Sequence, residues 1–333
     1  MTKGITMNTR LLGSFCVFSL ACAAGAAPAS FATEVQSSQP ALWYRFNETS
    51  GQIINYGSLG ASYNANTFNG VIYNQPTSGG DTGVRFNAAT QPYIESISAV
   101  PVSLTGNPSF TAEAIVRIDS QGALWAPMLW WGTNPTGTSV WFSIQGNNYD
   151  RFFAGFYNSG LRTVCRTKQS VWYHVVWTRD SNNGTNDSLT GSKFYINGQL
   201  AEMTRDESLF GAVSVNVASS KFRIQKAADL TRFFTGGLDE LALYQRVLSA
   251  EEIQAHAATL GFGIEAKFCP CDLNNDCLVD DMDFSSFVKG YNLLICEDPA
   301  MPFGCPADFN SDGVVDDSDF VIFLAAYNTL TCE

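Results

Sequence analysis

The residues best suited to do chemistry are oxygen donors near the C-terminus, in two runs: Asp272, Asn274, Asp276, Asp280 and Asp283, then Asp308, Asn310, Asp312, Asp316 and Asp319. In each run they stand at positions 1, 3, 5, 9 and 12 of a twelve-residue segment, and position 7, Leu278 or Val314, can add its main-chain carbonyl. Oxygen donors in that order suit a hard, flexibly coordinated cation, so the expected cofactor is Ca2+, one ion per segment. Gly313 holds the sixth position of the second run, where the chain turns sharply and positive φ is needed, whereas Cys277 holds it in the first. Apolar Val279 and Val315 at position 8 are expected to let the two loops pair.

The elements that position these donors repeat with them. Cys269, Phe284, Phe287, Tyr291, Asn292 and Cys296 recur 36 residues later as Cys305, Phe320, Phe323, Tyr327, Asn328 and Cys332. Apolar residues behind each loop fall at helical intervals, which predicts one short amphipathic helix leaving each loop. Pro270 and Pro306 stand just before the loops and disfavour a helix running in. This duplication over residues 269–333 resembles the dockerin type I module of bacterial secreted proteins, and the resemblance implies a cohesin-like partner. The sequence departs from that pattern at loop positions 10 and 11, where a Ser/Thr pair used in recognition gives way to Asp281-Met282 and Asp317-Ser318. Acid-rich loops repel one another until cations neutralise them, so ion binding and folding of this segment are expected to be one event.

The charge balance agrees. Of a net charge of −12 over 333 residues, residues 269–333 carry all, with thirteen acids against the single base Lys289, and the remainder holds 18 acids and 18 bases. The acidity therefore reads as cation ligation, and no basic patch invites nucleic acid. A hydrophobic fraction of 45% is enough for a sizeable core.

Lys3 and Arg10 precede an apolar run, Leu11 to Ala24, followed by small residues with Ala24-Gly-Ala26 and Ala27-Pro-Ala29 as cleavage sites. That is a Sec-type signal peptide over residues 1–29, with Met7 as an alternative start. Cys22 offers a lipoprotein reading, but Leu20 lies one place too close to it for the usual lipobox. No later run of about 18 apolar residues exists, so no membrane span is expected and the mature protein should be extracellular or at the cell surface. Export makes the cysteines disulfide candidates. Repeat symmetry favours Cys269 with Cys296 and Cys305 with Cys332, and Cys277 can pair with Cys271, leaving Cys165 as a buried thiol; other connectivities stay open.

Between residues 40 and 262 the pattern is short alternating apolar runs separated by Gly, Asn, Asp, Ser and Thr clusters, the mark of an all-β sandwich or barrel. Candidate strands are Ala41–Phe46, Gly83–Phe86, Phe110–Ile118, Val140–Ile144, Arg151–Phe156 and Trp172–Thr178. Asn197-Gly198 between Lys193–Ile196 and Gln199–Leu200 predicts a type I′ hairpin. Leu238, Leu241 and Leu243 suit a last core strand, and Ser249 with Glu252 forms a capping box for a helix carrying Ile253, Ala257 and Leu260. Leu42–Gly51, Pro108–Arg117, Trp172–His174, Phe194–Gly198 and Gly236–Ile253 occur in the order of the laminin-G-like family and resemble it. The resemblance implies a mainly β protein, a concanavalin A-like jelly-roll β-sandwich, here with a small C-terminal α module of two calcium loop-helix repeats and a linker at 263–268.

Some glycosidases use this sandwich, and a retaining one needs two carboxylates about 5 Å apart on one sheet. No strand shows alternating acids. Asp239 and Glu240 are adjacent and expected on opposite faces, and Glu113 has only apolar or basic neighbours on its own strand. His174 and His256, the two histidines, read as core residues. A glycan site would use aromatic faces: Trp141 alternates away from Val140, Phe142 and Ile144 and shares its face with Ser143 and Gln145, where an exposed indole could stack on a sugar or pack beneath a loop. Asn47, Glu48, Asp81 and Asp239 are candidates for a further calcium site in the sandwich. The expected function is non-catalytic recognition of a carbohydrate or extracellular protein by the sandwich, with attachment through the tail. An extracellular glycoside hydrolase or lyase, or a structural adhesion protein, is the alternative.

Overall fold

The computed structural model describes Met1 and residues 30–77, 81–120, 125–145, 151–182, 190–205, 213–228, 232–260, 271–274, 279–302 and 304–328. The expected signal peptide, the linker, Asp276, Leu278, Cys269, Cys277 and Cys332 lie outside the described residues.

In chain order the strands are β1 (Leu42–Tyr44), β2 (Ala65–Phe68), β3 (Ile72–Pro76), β4 (Thr82–Phe86), β5 (Tyr93–Ala99), β6 (Phe110–Ser120), β7 (Ala126–Gly132) and β8 (Ser139–Gln145). They continue as β9 (Arg151–Phe156), β10 (Ser159–Thr163), β11 (Trp172–Arg179), β12 (Ser192–Ile196), β13 (Gln199–Ala201), β14 (Met203–Arg205), β15 (Lys221–Ile224) and β16 (Thr235–Tyr244). The first sheet runs β13-β12-β11-β6-β16-β4-β3 with β1 also on β16, and the second runs β14-β10-β9-β8-β7-β15-β5-β2. All registers are antiparallel, as a sandwich built from hairpins and long returns requires. One apolar face of each sheet meets the other: Val116, Trp177, Leu238, Leu241 and Leu243 from the first, Trp131, Phe142, Phe152 and Phe156 from the second, all wholly buried.

Local sequence signals explain the joints. Asn197 and Gly198 take φ of +50° and +81°, which lets Ile196 pair with Gln199 across a two-residue turn. Leu238 and Leu241 are three apart yet share the core because a bulge intervenes, with Glu240 at φ +49° and the register slipping between Asp239 and Ala242. The outer face of the first sheet is covered by two helices, α1 (Phe31–Ser37) and α2 (Ala250–Ala258), whose Phe31, Val35 and Ile253 pack on Trp43, Ile115, Val176 and Tyr244. The capping box forms as its spacing predicts: Glu252 N–H donates to Ser249 Oγ at 3.2 Å and Ser249 N–H to Glu252 Oε2 at 2.9 Å. Helix α1 is too short to show a helical period in the sequence, and the Ser30 cap is its local signal.

The C-terminal segment supplies α3 (Asp281–Tyr291) and α4 (Asp317–Tyr327), each leaving a loop as expected, capped by Asp280 and Asp316. Val279 and Val315 are buried in one small core with Phe287 and Phe323, whose rings stack at 5.4 Å. The second loop bridges backbone to Leu294–Cys296, with Val315 N–H donating to Leu294 O at 2.7 Å and Cys296 N–H to Gly313 O at 3.0 Å. Among the described residues no helix is long and apolar enough to cross a membrane.

Candidate functional site

The outer face of the second sheet carries a row in which Trp130, Trp141, Gly155 and Gly160 stand side by side on β7, β8, β9 and β10. The two glycines leave the space beside the Trp141 indole without side chains of their own. Phe153 fills part of it, lying so close that a Cβ on Gly160 would sit 2.0 Å from its Cζ. What remains is a solvent-connected recess of about 180 Å3, walled by Trp125, Trp141, Phe153, Tyr157, Asn158 and Arg232.

Trp141 reaches this recess, but not as the exposed indole that the alternation allowed. It is 4% exposed, and its companions Ser143 and Gln145 are buried too. Its N–H donates to Ser139 Oγ at 2.8 Å, its ring meets Trp130 edge-on at 6.4 Å, and Tyr157 tilts against it at 6.3 Å. Trp141 is thus a wall held in place, while Trp125, Tyr157, Asn158 and Arg232 are only partly buried. The Arg232 guanidinium lies over both indoles, 5.1 Å from the Trp125 centroid and 5.5 Å from that of Trp141. Trp125 holds a φ of +54°, a strained conformation for a bulky residue. Arg232 had no sequence signal, since it adjoins the recess only through folding of the chain ahead of β16.

The acids Asp239 and Glu240 do not point to opposite faces. The bulge at Glu240 breaks the alternation and brings carboxylate oxygens of Asp81, Asp239 and Glu240 within 4.8 Å of one another. Glu240, not Glu48, completes this trio, and Glu48 Oε1 instead accepts from Ile54 N–H at 2.9 Å. Asn47 Nδ2 donates to Asp81 Oδ2 at 3.0 Å, Arg45 bridges Asp81 and Glu240 at 3.1 Å each, and Trp43 Nε1 donates to Glu240 Oε2 at 2.6 Å. Asp239 Oδ1 accepts from Glu240 N–H, but its Oδ2 is buried with no hydrogen-bond partner. Burial, then the like charges of Glu240 and Asp81, push Asp239 well above the carboxylate range. Burial pushes Glu240 to about 7 against the pull of Arg45 and Trp43.

The histidines converge where the sequence showed no link. His174 Nε2 and His256 Nδ1 lie 2.6 and 2.8 Å from Glu113 Oε1, and Tyr244 OH donates to Glu113 Oε2 at 2.6 Å. Ser38 Oγ lies 3.0 Å from His256 Nε2, and Phe31 packs edge-on against both imidazoles. All of these polar groups are buried between the first sheet and its helices. This is a fastening of α1 and α2, as the core reading of the two histidines expects, and it offers no opening for a substrate.

In the tail the position-12 carboxylates close both loops in the same way. Asp283 Oδ1 accepts from Leu273 N–H at 2.7 Å and Asn274 N–H at 3.1 Å, and its Oδ2 from Asp280 N–H at 3.0 Å. Asp319 does the same for Phe309, Asn310 and Asp316 at 2.6, 3.1 and 3.0 Å. Asp312 N–H and Gly313 N–H donate to Asp308, and Val314 N–H donates to Asp312 Oδ1. Asp283 and Asp319 are wholly buried and Asp272 is 3% exposed, whereas Asp280, Asp308 and Asp316 are half-buried and Asp312 is exposed. An oxygen-only donor set of this charge fits Ca2+, which would neutralise it. The expected symmetric disulfides are overturned: Cys296 bonds to Cys305, linking the end of α3 directly to the start of the second loop across nine positions. Cys165 is disulfide-bonded too rather than a free thiol, with its partner outside the described residues. Repeat symmetry misled because it compares like positions, whereas the fold sets the end of the first repeat beside the start of the second.

A family profile described as the concanavalin A-like lectin/glucanases superfamily matches residues 78–254, just over half of the chain. No curated protein matches the chain. Among solved structures, domain 4 of an extracellular arabinanase from Geobacillus stearothermophilus, in complex with arabinotriose, is 16% identical with a TM-score of 0.47, over 66% of this chain and 98% of that one. The sialidase of Trypanosoma rangeli in complex with sialic acid is 16% identical with a TM-score of 0.47, over 66% of this chain and 33% of that one. A botulinum neurotoxin type C structure is 14% identical with a TM-score of 0.43, over 67% of this chain and 51% of that one.

Proposed function

This chain belongs to the concanavalin A-like lectin/glucanases superfamily, and on that premise we propose that it is a secreted, non-catalytic binding protein whose sandwich holds a carbohydrate and whose calcium-dependent tail attaches it. The observation that carries this reading is the aromatic recess on the second sheet. Sugars present apolar C–H faces that stack on indole and phenol rings, and polar rims that Asn158 and Arg232 can meet. Trp125 supplies the platform; Trp141, packed and hydrogen-bonded, fixes its shape. The strained backbone at Trp125 fits a side chain held in place for a ligand. A glycan-array screen of the calcium-loaded full chain tests this, with Trp125→Ala as control. Retention of a glycan by the wild type and its loss in the variant supports the reading, while binding to extracellular proteins alone would make the sandwich a protein-recognition domain.

Calcium is proposed for both tail loops through Asp272, Asn274, Asp276, Asp280, Asp283 and Asp308, Asn310, Asp312, Asp316, Asp319, with the carbonyls of Leu278 and Val314. A third ion is proposed at Asp81, Asp239 and Glu240, where a buried carboxylate oxygen has no partner. The tail is proposed to attach the protein to a cohesin-like or other surface component. Retention of the full chain on cell-envelope fractions in calcium, and its release by EDTA, checks this.

One observation favours a hydrolase instead: Glu240, held at about 7, could act as a general acid beside a second carboxylate. Cleavage of any polysaccharide that Glu240→Gln abolishes would establish that alternative. Arg45 and Trp43 already occupy both Glu240 oxygens, which is why the binding reading is preferred.

A further inference from the structure

The bond between Cys296 and Cys305 closes a span of nine positions, and both of its ends hold the second tail loop. At the Cys296 end, residues 294–296 run antiparallel to the loop, with Ile295 opposite Val314. Cys296 N–H donates to Gly313 O at 3.0 Å and Val315 N–H to Leu294 O at 2.7 Å. Successive peptide groups of an extended segment point to opposite sides, so these two bonds turn the Val314 carbonyl away from the bridge and into the loop, where position 7 offers its main-chain oxygen. Val314 N–H, on that same side, already meets Asp312 Oδ1 at 3.0 Å. At the Cys305 end, Asp308 N–H donates to Cys305 O at 3.0 Å, and Asp308 Oδ2, at position 1, lies 3.4 Å from Cys296 Sγ. One covalent bond thus sets positions 1 and 7 of the second loop relative to each other. The first loop is closed differently, by Asp283 onto its own Leu273, Asn274 and Asp280, and it reaches the bridged span through α3.

Resting on the calcium reading of the tail, we infer that this disulfide is a redox lock on the second calcium loop. Oxidised, it presents positions 1 and 7 ready for the ion; reduced, it lets residues 294–296 part from Gly313–Val315, and the loop binds weakly. Closing the span removes conformations from the ion-free tail that calcium would otherwise have to select against, so the gain appears as affinity. A dithiol is the reductant. Cys296 is half-buried and Cys305 buried, so its thiolate attacks Cys296 Sγ, and Cys305 leaves as a thiolate that takes a proton. The second thiol of the reductant then closes on its own bound sulfur and releases Cys296. Two electrons pass to the bond, giving two cysteine thiols and one reductant disulfide. In a reducing compartment the second loop therefore stays unloaded, and the tail becomes competent for attachment where disulfides persist.

The test titrates calcium calorimetrically into the ion-free full chain, oxidised, and into Cys296→Ala/Cys305→Ala, which leaves the Cys165 disulfide in place. The variant should weaken one site by at least about tenfold and leave the rest within about twofold. Asp319→Asn, which removes position 12 of the second loop, should abolish that same site, and the calcium binding that remains should be indifferent to dithiothreitol. Dithiothreitol should bring the wild type down to the variant and change nothing further in the variant, which separates this bond from that of Cys165. By linkage, calcium should hold the bond oxidised by the same factor, about 30 mV for each tenfold, read on the wild type in dithiothreitol redox buffers with and without calcium. That reading decides the matter even where the cysteine variant does not fold. Unchanged calcium affinity in the variant, or a redox midpoint indifferent to calcium, overturns the lock while leaving the calcium loops standing. Equal weakening of both tail loops overturns the assignment to the second. A tail that binds no calcium when oxidised overturns the calcium reading, and this inference with it.

Discussion

Glu113 Oε1 lies 2.8 Å from His256 Nδ1 with both groups almost wholly buried, and through this contact helix α2 is fastened to the sheet beneath it. Burial opposes charge on the carboxylate, but His256 and His174 outweigh it and hold Glu113 below the usual range. Burial likewise opposes the imidazolium, and Glu113 outweighs it, so His256 is raised. Glu113 therefore contributes stability above the ordinary carboxylate range, lost only as pH falls through its depressed value. His256 contributes stability in full below about 6.5, lost as pH rises through its raised value. Stability should be greatest between those limits. Glu113→Gln leaves His256 without its counter-charge and should cost about 3–5 kcal/mol by chemical denaturation at about pH 6. A cost below about 1 kcal/mol would mean that the contact is incidental.

Across the tail, Tyr291 OH donates to Asp317 Oδ1 and Tyr327 OH to Asp281 Oδ1, each at 2.6 Å. The hydrogen bond to the carboxylate, and then its charge, raise both hydroxyls above their usual value. These bonds exist only while the two repeats face one another. In calcium the two tyrosines should ionise late; in EDTA they should return to about 10 as the tail loses its fold. Ultraviolet difference titration reads this, with the double variant Tyr291→Phe/Tyr327→Phe isolating their signal. Identical curves with and without calcium would sink the coupling of ion to fold.

At the Asp81, Asp239 and Glu240 trio the sign is reversed. Both Asp239 and Glu240 are raised, so folding takes up protons, and stability falls as pH climbs from the ordinary carboxylate range to about 7, the value for Glu240. Asp239→Asn removes one of the like charges. In EDTA it should flatten the dependence of melting temperature on pH and raise stability at alkaline pH; in calcium it should lose the stabilisation that the wild type gains there. A variant with the wild-type slope in EDTA would contradict the account.

Much of the fold was legible because it rests on local chemistry. Asn197-Gly198 admits one hairpin turn, Ser249 and Glu252 cap one helix, and the alternation around Phe142 puts Val140 and Ile144 into the core. The apolar spacing behind each loop predicted a short helix there, and α3 and α4 stand over those residues. The rest depends on what lies opposite. Glu240 was misplaced because one residue in the left-handed region cancels the strand period, and a period carries no sign of its own interruption. Glu113, His174 and His256 are distant in sequence, so no spacing links them. Trp141 was placed on the correct face, yet whether that face is open depends on Trp125, Phe153 and Arg232 beside it.

The central claim, that the Trp125 platform of this recess holds a carbohydrate, is tested most directly by titrating the strongest glycan from the array into the full chain and into Trp125→Ala, both calcium-loaded and both verified as folded by near-ultraviolet circular dichroism. Loss of the stacking ring should weaken binding by at least about tenfold, as for an aromatic anchor at the centre of a site. Unchanged affinity in the variant would contradict the account and move the site elsewhere on the sandwich.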